Sequence, residues 1–235
     1  MTARFATTHW SQVVAAGGAG GGESGAARAA LAWLCERYWD PLHAHARRCG
    51  FAPEDAADLT QEFLLTVLRG GVVERADQNR GRFRTFLLAC LTHHLSHARE
   101  HAAALKRGGG IGQGSVGNEA ADQLAVEHDP GRGFDRDWAV TVLARARDRL
   151  AQEVEPTRRG LMRFLTSDGD AAAYAQAGEE LAISAGAVRV AVHRLRREFA
   201  SALRAEIADT LADPRADEVE AELRDLLAAL ATESR

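Results

Sequence analysis

Apolar side chains recur at three- and four-residue steps through most of the chain, a spacing that predicts amphipathic helices. The first helix is predicted over about residues 26–48, and Pro41 should kink or divide it because proline lacks a backbone donor. A second helix is predicted to begin at Pro53 and to end at Gly70, since proline suits a first turn and glycine a helix end. Its apolar stripe consists of Ala56, Leu59, Phe63 and Val67.

Further helices are expected downstream, and no segment of useful length alternates apolar and polar residues as a strand would. Their approximate ranges are 82–105, 137–153, 157–167, 171–181, 185–210 and 216–230. The chain is therefore predicted to be all-α, with two small helical domains joined by a glycine-rich linker.

Glycine-rich stretches mark the boundaries between these domains. Six of residues 17–25 and eight of residues 108–133 are glycine, a composition typical of flexible segments and linkers. The predicted division is a flexible segment over 1–25, a first helical domain over 26–107, a linker over 108–136, a second helical domain over 137–204 and an acidic helical extension over 205–235.

The net charge of −4 says little, whereas the distribution of charge says more. Residues 80–107 carry six basic residues and one acid, and residues 186–204 carry five and one. Residues 51–65 carry four acids and no base, and residues 205–235 carry nine acids and three bases. This alternation of basic and acidic segments indicates more than one polar surface for macromolecular partners.

Three cysteines, Cys35, Cys49 and Cys90, lie in unpaired contexts. Their odd number argues against a disulfide scaffold and their spacing against a CxxC zinc site, which fits a reducing cytoplasm. No window approaches the ~20 apolar residues of a membrane span. The first ten residues also lack the apolar core of a signal peptide, so a cytoplasmic location without a membrane span is expected.

Residues 171–181 and the helix after Ser184 form a candidate helix-turn-helix. Ser184 is a good N-cap, and the following helix has a buried stripe of Val188, Val192, Leu195 and Phe199. The first turn of a recognition helix reaches base edges, and basic residues around it hold phosphates. An ordinary helical hairpin with a solvated basic face remains the alternative.

The basic stretch 80–107 also contains Phe83, Phe86 and four histidines. Cationic grooves with aromatic side chains suit single-stranded DNA, although both phenylalanines also fit the helical core. Spacing places His93, His97 and His101 on one helix face, where two could chelate zinc. No carboxylate or cysteine nearby completes a ligand set, so a polar or DNA-facing surface is favoured, and no metal or other cofactor is expected.

Catalytic motifs are missing from the sequence. It contains no GxSxG, no Walker loop and no HExxH. The carboxylate pairs Glu54/Asp55 and Glu179/Glu180 are expected at helix ends or on solvated faces. The chain is therefore not expected to be an enzyme.

Several segments resemble bacterial RNA polymerase sigma factors. Residues 38–42 (YWDPL) and 53–64 (PEDAADLTQEFL) resemble region 2, most closely that of the extracytoplasmic-function subfamily, and residues 81–88 (GRFRTFLL) resemble its next part. Residues 184–197 (SAGAVRVAVHRLRR) resemble region 4. The resemblance implies a sigma factor that directs core RNA polymerase to promoters and initiates transcription.

The resemblance also implies which residues contact each partner. The surface that docks on the polymerase clamp would be Asp58, Gln61, Glu62 and Leu65. The residues that open the −10 element would be Arg82, Arg84, Thr92, His93, His97, Arg99 and Arg107. The residues that read the −35 element would be Ser184, Gly186, Arg189, Val190, His193 and Arg194, with Arg196 and Arg197 as outer phosphate contacts. An anti-sigma factor or another regulator is left open as a further partner.

Region 4 of the family usually has glycine where Ala182 stands, so left-handed backbone geometry there would be penalised. Glycine at position 178, inside a helix, costs ~1 kcal/mol relative to alanine. We therefore expect a less stable second domain, or one that tightens only on polymerase. The acidic tail beyond residue 205 could pack on this domain, bind a regulator or keep the factor off DNA.

Two other functions compete with the sigma factor. A helix-turn-helix repressor or activator would bind DNA without polymerase, which leaves the acidic helix around Asp58 without a partner. A helical enzyme would use the histidine-rich helix and a metal ion. Duplex binding without polymerase would identify the regulator, and metal content would identify the enzyme.

Overall fold

The computed structural model describes residues 25–69, 83–108, 130–211 and 214–231. Within these ranges the chain forms helices and no strand, which confirms the predicted all-α class. The helices are α1 (Gly25–Arg48), α2 (Pro53–Arg69), α3 (Phe83–Gly108), α4 (Pro130–Glu153), a 3-10 helix (Pro156–Phe164), α5 (Ala171–Leu181), α6 (Ala185–Ala208) and α7 (Ala216–Ala231).

Helix boundaries differ from the sequence prediction at a few places. Pro41 lies inside α1 without dividing it. Residues 130–136, which the sequence assigns to the linker, form the first turns of α4, because Phe134 is buried one turn before Trp138. The segment predicted as a helix over 157–167 is instead a 3-10 helix that ends at Phe164. The glycine-rich segment of residues 17–22 and residues 109–129 of the predicted linker lie outside the described residues.

The chain divides into two compact units. One consists of Met1–Thr141 together with Asp209–Arg235, and the other is the continuous segment Val142–Ala208. The boundary between the units falls within α4, and α7 belongs to the first unit. This grouping differs from the predicted division, in which the acidic tail forms a separate extension after the second domain.

The first unit is built around an aromatic core. Tyr38 of α1 is fully buried, with its ring edge-on to Phe83 of α3 at 5.4 Å and stacked on Trp138 of α4 at 6.4 Å. Burial raises the pKa of Tyr38. The other large, fully buried side chains of this unit are Leu34, Leu42, Leu64, Leu87, Leu91, Leu95 and Phe134. The helical stripes expected in α1, α2 and α3 thus meet in one core.

Helix α1 ends in a Schellman motif around Gly50, which has a φ of 90°. The amide of Gly50 donates to the carbonyl of Arg47 at 2.9 Å, and the amide of Phe51 donates to that of Ala46 at 3.4 Å. Glycine reaches this left-handed geometry without a steric penalty. The turn leads directly into Pro53 and the start of α2.

The second unit has a smaller core between the end of α4, the 3-10 helix, α5 and α6. Its buried members are Leu150, Val154, Leu161, Phe164, Tyr174, Ala177, Val188, Val192 and Leu195. Helix α5 begins at an N-cap, because the Asp170 carboxylate accepts from the amide of Ala173 at 2.7 Å. Three residues of the stripe predicted for α6 are thus buried, and the fourth, Phe199, packs against this core.

Candidate nucleic-acid and polymerase interfaces

Helix α2 presents an acidic face, defined as Asp58, Gln61, Glu62 and Leu65. The first three side chains are exposed and Leu65 is half-buried. The opposite side of the helix is buried and includes Phe63. Spacings of three and four residues place the acidic face along one side of the helix. It is therefore accessible from solvent, and its role in binding polymerase stays a prediction.

Thr60 is the polar residue on the buried side of α2. Its hydroxyl donates to the carbonyl of Ala56 at 2.7 Å, so the buried oxygen is satisfied within the helix. His94 of α3 approaches the same helix, with its ring 5.9 Å from that of Phe63. Its Nε2 atom lies 4.0 Å from the Glu62 carboxylate. The packing of α3 on α2 thus positions one member of the acidic face.

Helix α3 carries an exposed polar face, defined as Thr92, His93, His97 and His101. The Nε2 atoms of His93 and His97 are 3.0 Å apart, a separation at which one ring donates a proton to the other. The Nδ1 atom of His97 is 3.6 Å from the Glu100 carboxylate. This face offers rotatable hydrogen-bond donors and acceptors rather than fixed positive charge.

Arg84, an expected contact to the −10 element, is buried at the start of α3. Its side chain is 5% exposed, and Nε donates to the Asp135 carboxylate at 2.8 Å. Its Nη1 atom forms an ion pair with Glu222 of α7, and the guanidinium lies 4.8 Å from the centre of the Trp138 ring. A nucleic acid cannot reach Arg84 in this arrangement because α7 and α4 occupy its hydrogen-bonding directions.

The remaining basic residues predicted for the −10 element are only partly described. Arg99 is exposed, but its Nη2 donates to the carbonyl of Cys49 and its guanidinium stacks on Phe51 at 5.1 Å. Arg82 and the side chain of Arg107 lie outside the described residues. Among the described basic candidates of α3, Arg84 and Arg99 are therefore both held by contacts within the first unit.

Helices α5 and α6 are joined by a tight turn, which a Schellman motif closes. Ala182 has φ 53° and ψ 40°, which is left-handed backbone geometry. The sequence analysis predicts an energetic penalty for this geometry, because alanine stands where the family usually has glycine. Its amide donates to the carbonyl of Glu179 at 3.2 Å, and the amide of Ile183 donates to that of Gly178 at 2.9 Å. The turn therefore has the usual bonds of the motif without its usual glycine.

Gly178 must be glycine for a steric reason, which its position inside a helix does not suggest. It is buried, and a Cβ atom built on it would lie 2.6 Å from the carbonyl oxygen of Ile183. The same Cβ atom would lie 3.4 Å from the amide nitrogen of Ala185. Glycine at this position is thus needed for the turn to fold back on α5, and its helix-propensity cost is offset by that close approach.

Helix α6 begins at Ser184, whose hydroxyl accepts from the amide of Ala187 at 3.2 Å, as an N-cap does. The exposed face of the helix contains Gly186, Arg189, Val190, His193, Arg194 and Arg197. Arg189 also lies over the ring of Tyr174 in α5, at 5.6 Å from its centre. This contact packs the guanidinium against the Tyr174 ring while the residue stays exposed. Such an arrangement is compatible with a side chain that contacts DNA bases.

Arg196, an expected outer phosphate contact, is engaged by acceptors within the second unit. Its Nε and Nη2 atoms donate to the carbonyl of Phe164 at 3.0 and 2.8 Å, and Nη2 also donates to that of Ser167 at 2.9 Å. Its Nη1 lies 2.7 Å from the Asp168 carboxylate. The guanidinium fixes the end of the 3-10 helix and the loop before α5, so it acts within the fold.

Sequence reasoning missed Asp135, Trp138 and Glu222, which surround Arg84. The apolar pair Phe134 and Trp138, four residues apart, could have revealed that α4 begins before residue 137. No local pattern points to Glu222, because its partner lies far away in the sequence.

The described residues hold no metal-binding cluster of three or more histidine, cysteine, aspartate or glutamate side chains. Burial raises the pKa of the Cys35, Cys49 and Cys90 thiols, so they are protonated at neutral pH and weak nucleophiles. None of the described helices is long and apolar enough to cross a membrane.

Residues 34–103 match the family described as Sigma-70 region 2. The matched segment covers α2, most of α1 and most of α3, and includes the acidic face and the exposed polar face. The match supports membership of the sigma-70 family, and with it a role in transcription initiation together with core RNA polymerase and promoter DNA. Searches of curated proteins and of solved structures each found no match to the chain.

Proposed function

We propose that the chain is a sigma factor of the extracytoplasmic-function subfamily, which acts in the cytoplasm and brings core RNA polymerase to promoters. The acidic face of α2 carries the proposal. It lies within the segment similar to sigma-70 region 2, and the core of the first unit leaves it exposed. An exposed acidic face on a helix whose other side is buried suits a partner protein with a basic surface.

The first unit would contact the −10 element through the exposed polar face of α3. Thr92, His93 and His97 offer hydrogen bonds, and histidine rings also stack on unpaired bases. Because Arg84 and Arg99 are engaged internally, strand binding on this face would depend on hydrogen bonding and stacking more than on charge. Arg82 and Arg107 remain proposed phosphate contacts.

The second unit would read the −35 element with α6. Its capped first turn carries Ser184 and Gly186, which let the DNA backbone approach closely. One turn later Arg189 and His193 share an exposed face, with Val190 beside them. Arg194 and Arg197 would hold phosphates. The family match does not extend to this unit, so its role rests on the geometry of α5 and α6.

Charge reversal on α2 tests the function. The variant Asp58→Arg/Glu62→Arg should lose affinity for core polymerase in a competition assay, because like charges would then face the partner. Glu54→Arg/Asp55→Arg is the matched control: it makes the same change in charge in the first turn of the same helix. Equal affinity of the Asp58/Glu62 variant and the control would contradict the proposed interface.

A DNA-binding regulator that acts without polymerase is the second candidate. The observation in its favour is the second unit, where the tight turn between α5 and α6 and the exposed arginines of α6 are compatible with a helix-turn-helix that binds DNA by itself. Such a regulator would bind duplex DNA tightly and specifically as purified protein. A sigma factor would instead need core polymerase for specific binding, so one titration with and without polymerase separates the two.

A further inference from the structure

Helix α7 places a carboxylate on the first turn of α3. Glu222 is 2% exposed and pairs with Arg84, whose other side is held by Asp135. A buried guanidinium requires anionic partners, because removing it from water without them is costly. Arg84 is therefore an anion-binding site of the first unit, and α7 supplies one of its anions.

Charge favours this docking of α7. The residues 205–235 carry nine acids and three bases, whereas residues 80–107 carry six bases and one acid. Asp217, Glu220 and Asp225 of α7 are exposed. Helix α7 contacts this segment through Arg84, where its carboxylate presents the same type of charge as a nucleic-acid backbone and so competes with it.

The apolar attachment of α7 is small. Its buried residues are Val219, Glu222 and Leu226, and Leu227 on the same helix is 53% exposed. The ion pair with Arg84 therefore adds a charged contact to this apolar attachment. A phosphate that replaced the Glu222 carboxylate would keep Arg84 paired, so the exchange avoids leaving a buried charge uncompensated.

We propose that Arg84 binds the phosphate backbone of single-stranded DNA, and that Glu222 of α7 occupies this site in the free protein. Helix α7 is then an autoinhibitory element that leaves Arg84 when DNA binds the first unit. The inference rests on the proposed function, since it assigns the occluded site to the strand that the first unit would hold.

Neutralising the carboxylate in the full chain tests the competition. Binding of a fluorescent single-stranded oligonucleotide to Glu222→Gln should be about fivefold tighter or more, the lower end of typical coupling between sites. The dependence of log K on log salt should steepen by about 0.7, the value for one more phosphate contact on a single strand. The control Glu220→Gln removes an exposed carboxylate from the same helix and should leave the affinity unchanged.

The arginine must account for the gain. In Arg84→Met/Glu222→Gln both charges of the pair are removed, and the affinity should return to the wild-type value. A gain that persists without Arg84 would overturn the proposal, as would equal binding by Glu222→Gln and wild type with helicity retained.

Wild-type protein gives an independent measurement should Glu222→Gln fail to fold. Amide hydrogen exchange in residues 216–231 should accelerate when the oligonucleotide is added, because α7 leaves the first unit. Unchanged exchange at saturating oligonucleotide would overturn the proposal. Polymerase binding through α2 is measured separately, so loss of that binding would contradict the proposed function without touching the competition result.

Discussion

Helices α3 and α6 both lie in basic stretches, yet they differ in what holds their arginines. In α3, Arg84 is buried between carboxylates and Arg99 is bonded to a carbonyl oxygen. In α6, Arg189, Arg194 and Arg197 are exposed, and Arg196 alone among the predicted contacts is held by the neighbouring loop. Among the side chains that the structure describes, the two basic stretches thus give a mainly polar face on α3 and a cationic face on α6.

The net charge of a helix therefore does not determine the charge of its exposed surface. A guanidinium whose donors already meet internal acceptors is closed to DNA until one of those acceptors is displaced. The acceptors of Arg84 come from α4 and α7, and those of Arg196 come from the loop before α5. Substituting these arginines therefore distinguishes structural roles from DNA-binding roles.

The largest effect on stability is expected from removing Arg84, the buried arginine of α3. We expect Arg84→Met to lower the free energy of unfolding by about 3–5 kcal/mol, because Glu222 would be left as an uncompensated buried charge. Chemical denaturation followed by circular dichroism measures the change. Arg197→Met, at an exposed position of α6, is the control and should change stability little. A small effect of Arg84→Met would mean that water reaches Glu222.

Removing Arg196 should have a smaller structural effect in the second unit. Its bonds to Phe164 and Ser167 are charge-assisted, and Arg196→Ala should lower stability by about 1.5–3 kcal/mol. Binding to DNA in complex with polymerase should keep its salt dependence if Arg196 contacts no phosphate. A salt slope lower by about one would restore Arg196 to the set of phosphate contacts.

Arg189 and Arg197 share the exposed face of α6, but we expect them to contact different parts of the DNA. Arg189→Ala should relax the preference at one or two −35 positions, with a loss of about 1–3 kcal/mol of discrimination. Arg197→Ala should weaken binding evenly across sequences and lower the salt slope by about one. Both variants, assembled with core polymerase, are measured against a −35 library at two salt concentrations. A uniform loss in Arg189→Ala would place the wrong side of α6 against the bases.

The turn before α6 gives the smallest expected change. Ala182→Gly should stabilise the second unit by about 1 kcal/mol, because the left-handed geometry penalises a Cβ atom. Gly50 shows the same bonding pattern in the first unit with the glycine already present. Ala175→Gly at an exposed position inside α5 is the control and should destabilise by about 1 kcal/mol. Equal thermal shifts in both variants would exclude relief of backbone strain.

Much of the local structure could be predicted because it depends on neighbouring residues. The stripe of α6, the Ser184 cap and the exposed acidic face of α2 follow from spacings of three and four residues. The need for glycine at position 178 could not be predicted from sequence. Helix propensity is a local property, whereas the contact of Gly178 with Ile183 depends on the geometry of the turn. Arg84 and Arg196 could not be assigned from sequence, because their acceptors lie on other elements.

The pairing of Arg84 with Glu222 also sets an order on synthesis. Glu222 follows Arg84 by more than half of the chain. At translation rates of about 5–20 residues per second, Arg84 leaves the ribosome on the order of ten seconds before its partner. The continuous segment Val142–Ala208 can complete its core in that interval, whereas the contact of Arg84 with α7 must wait for Glu222. The unit that begins first along the chain is thus finished last, and its arginine is open to other anions while the chain is nascent.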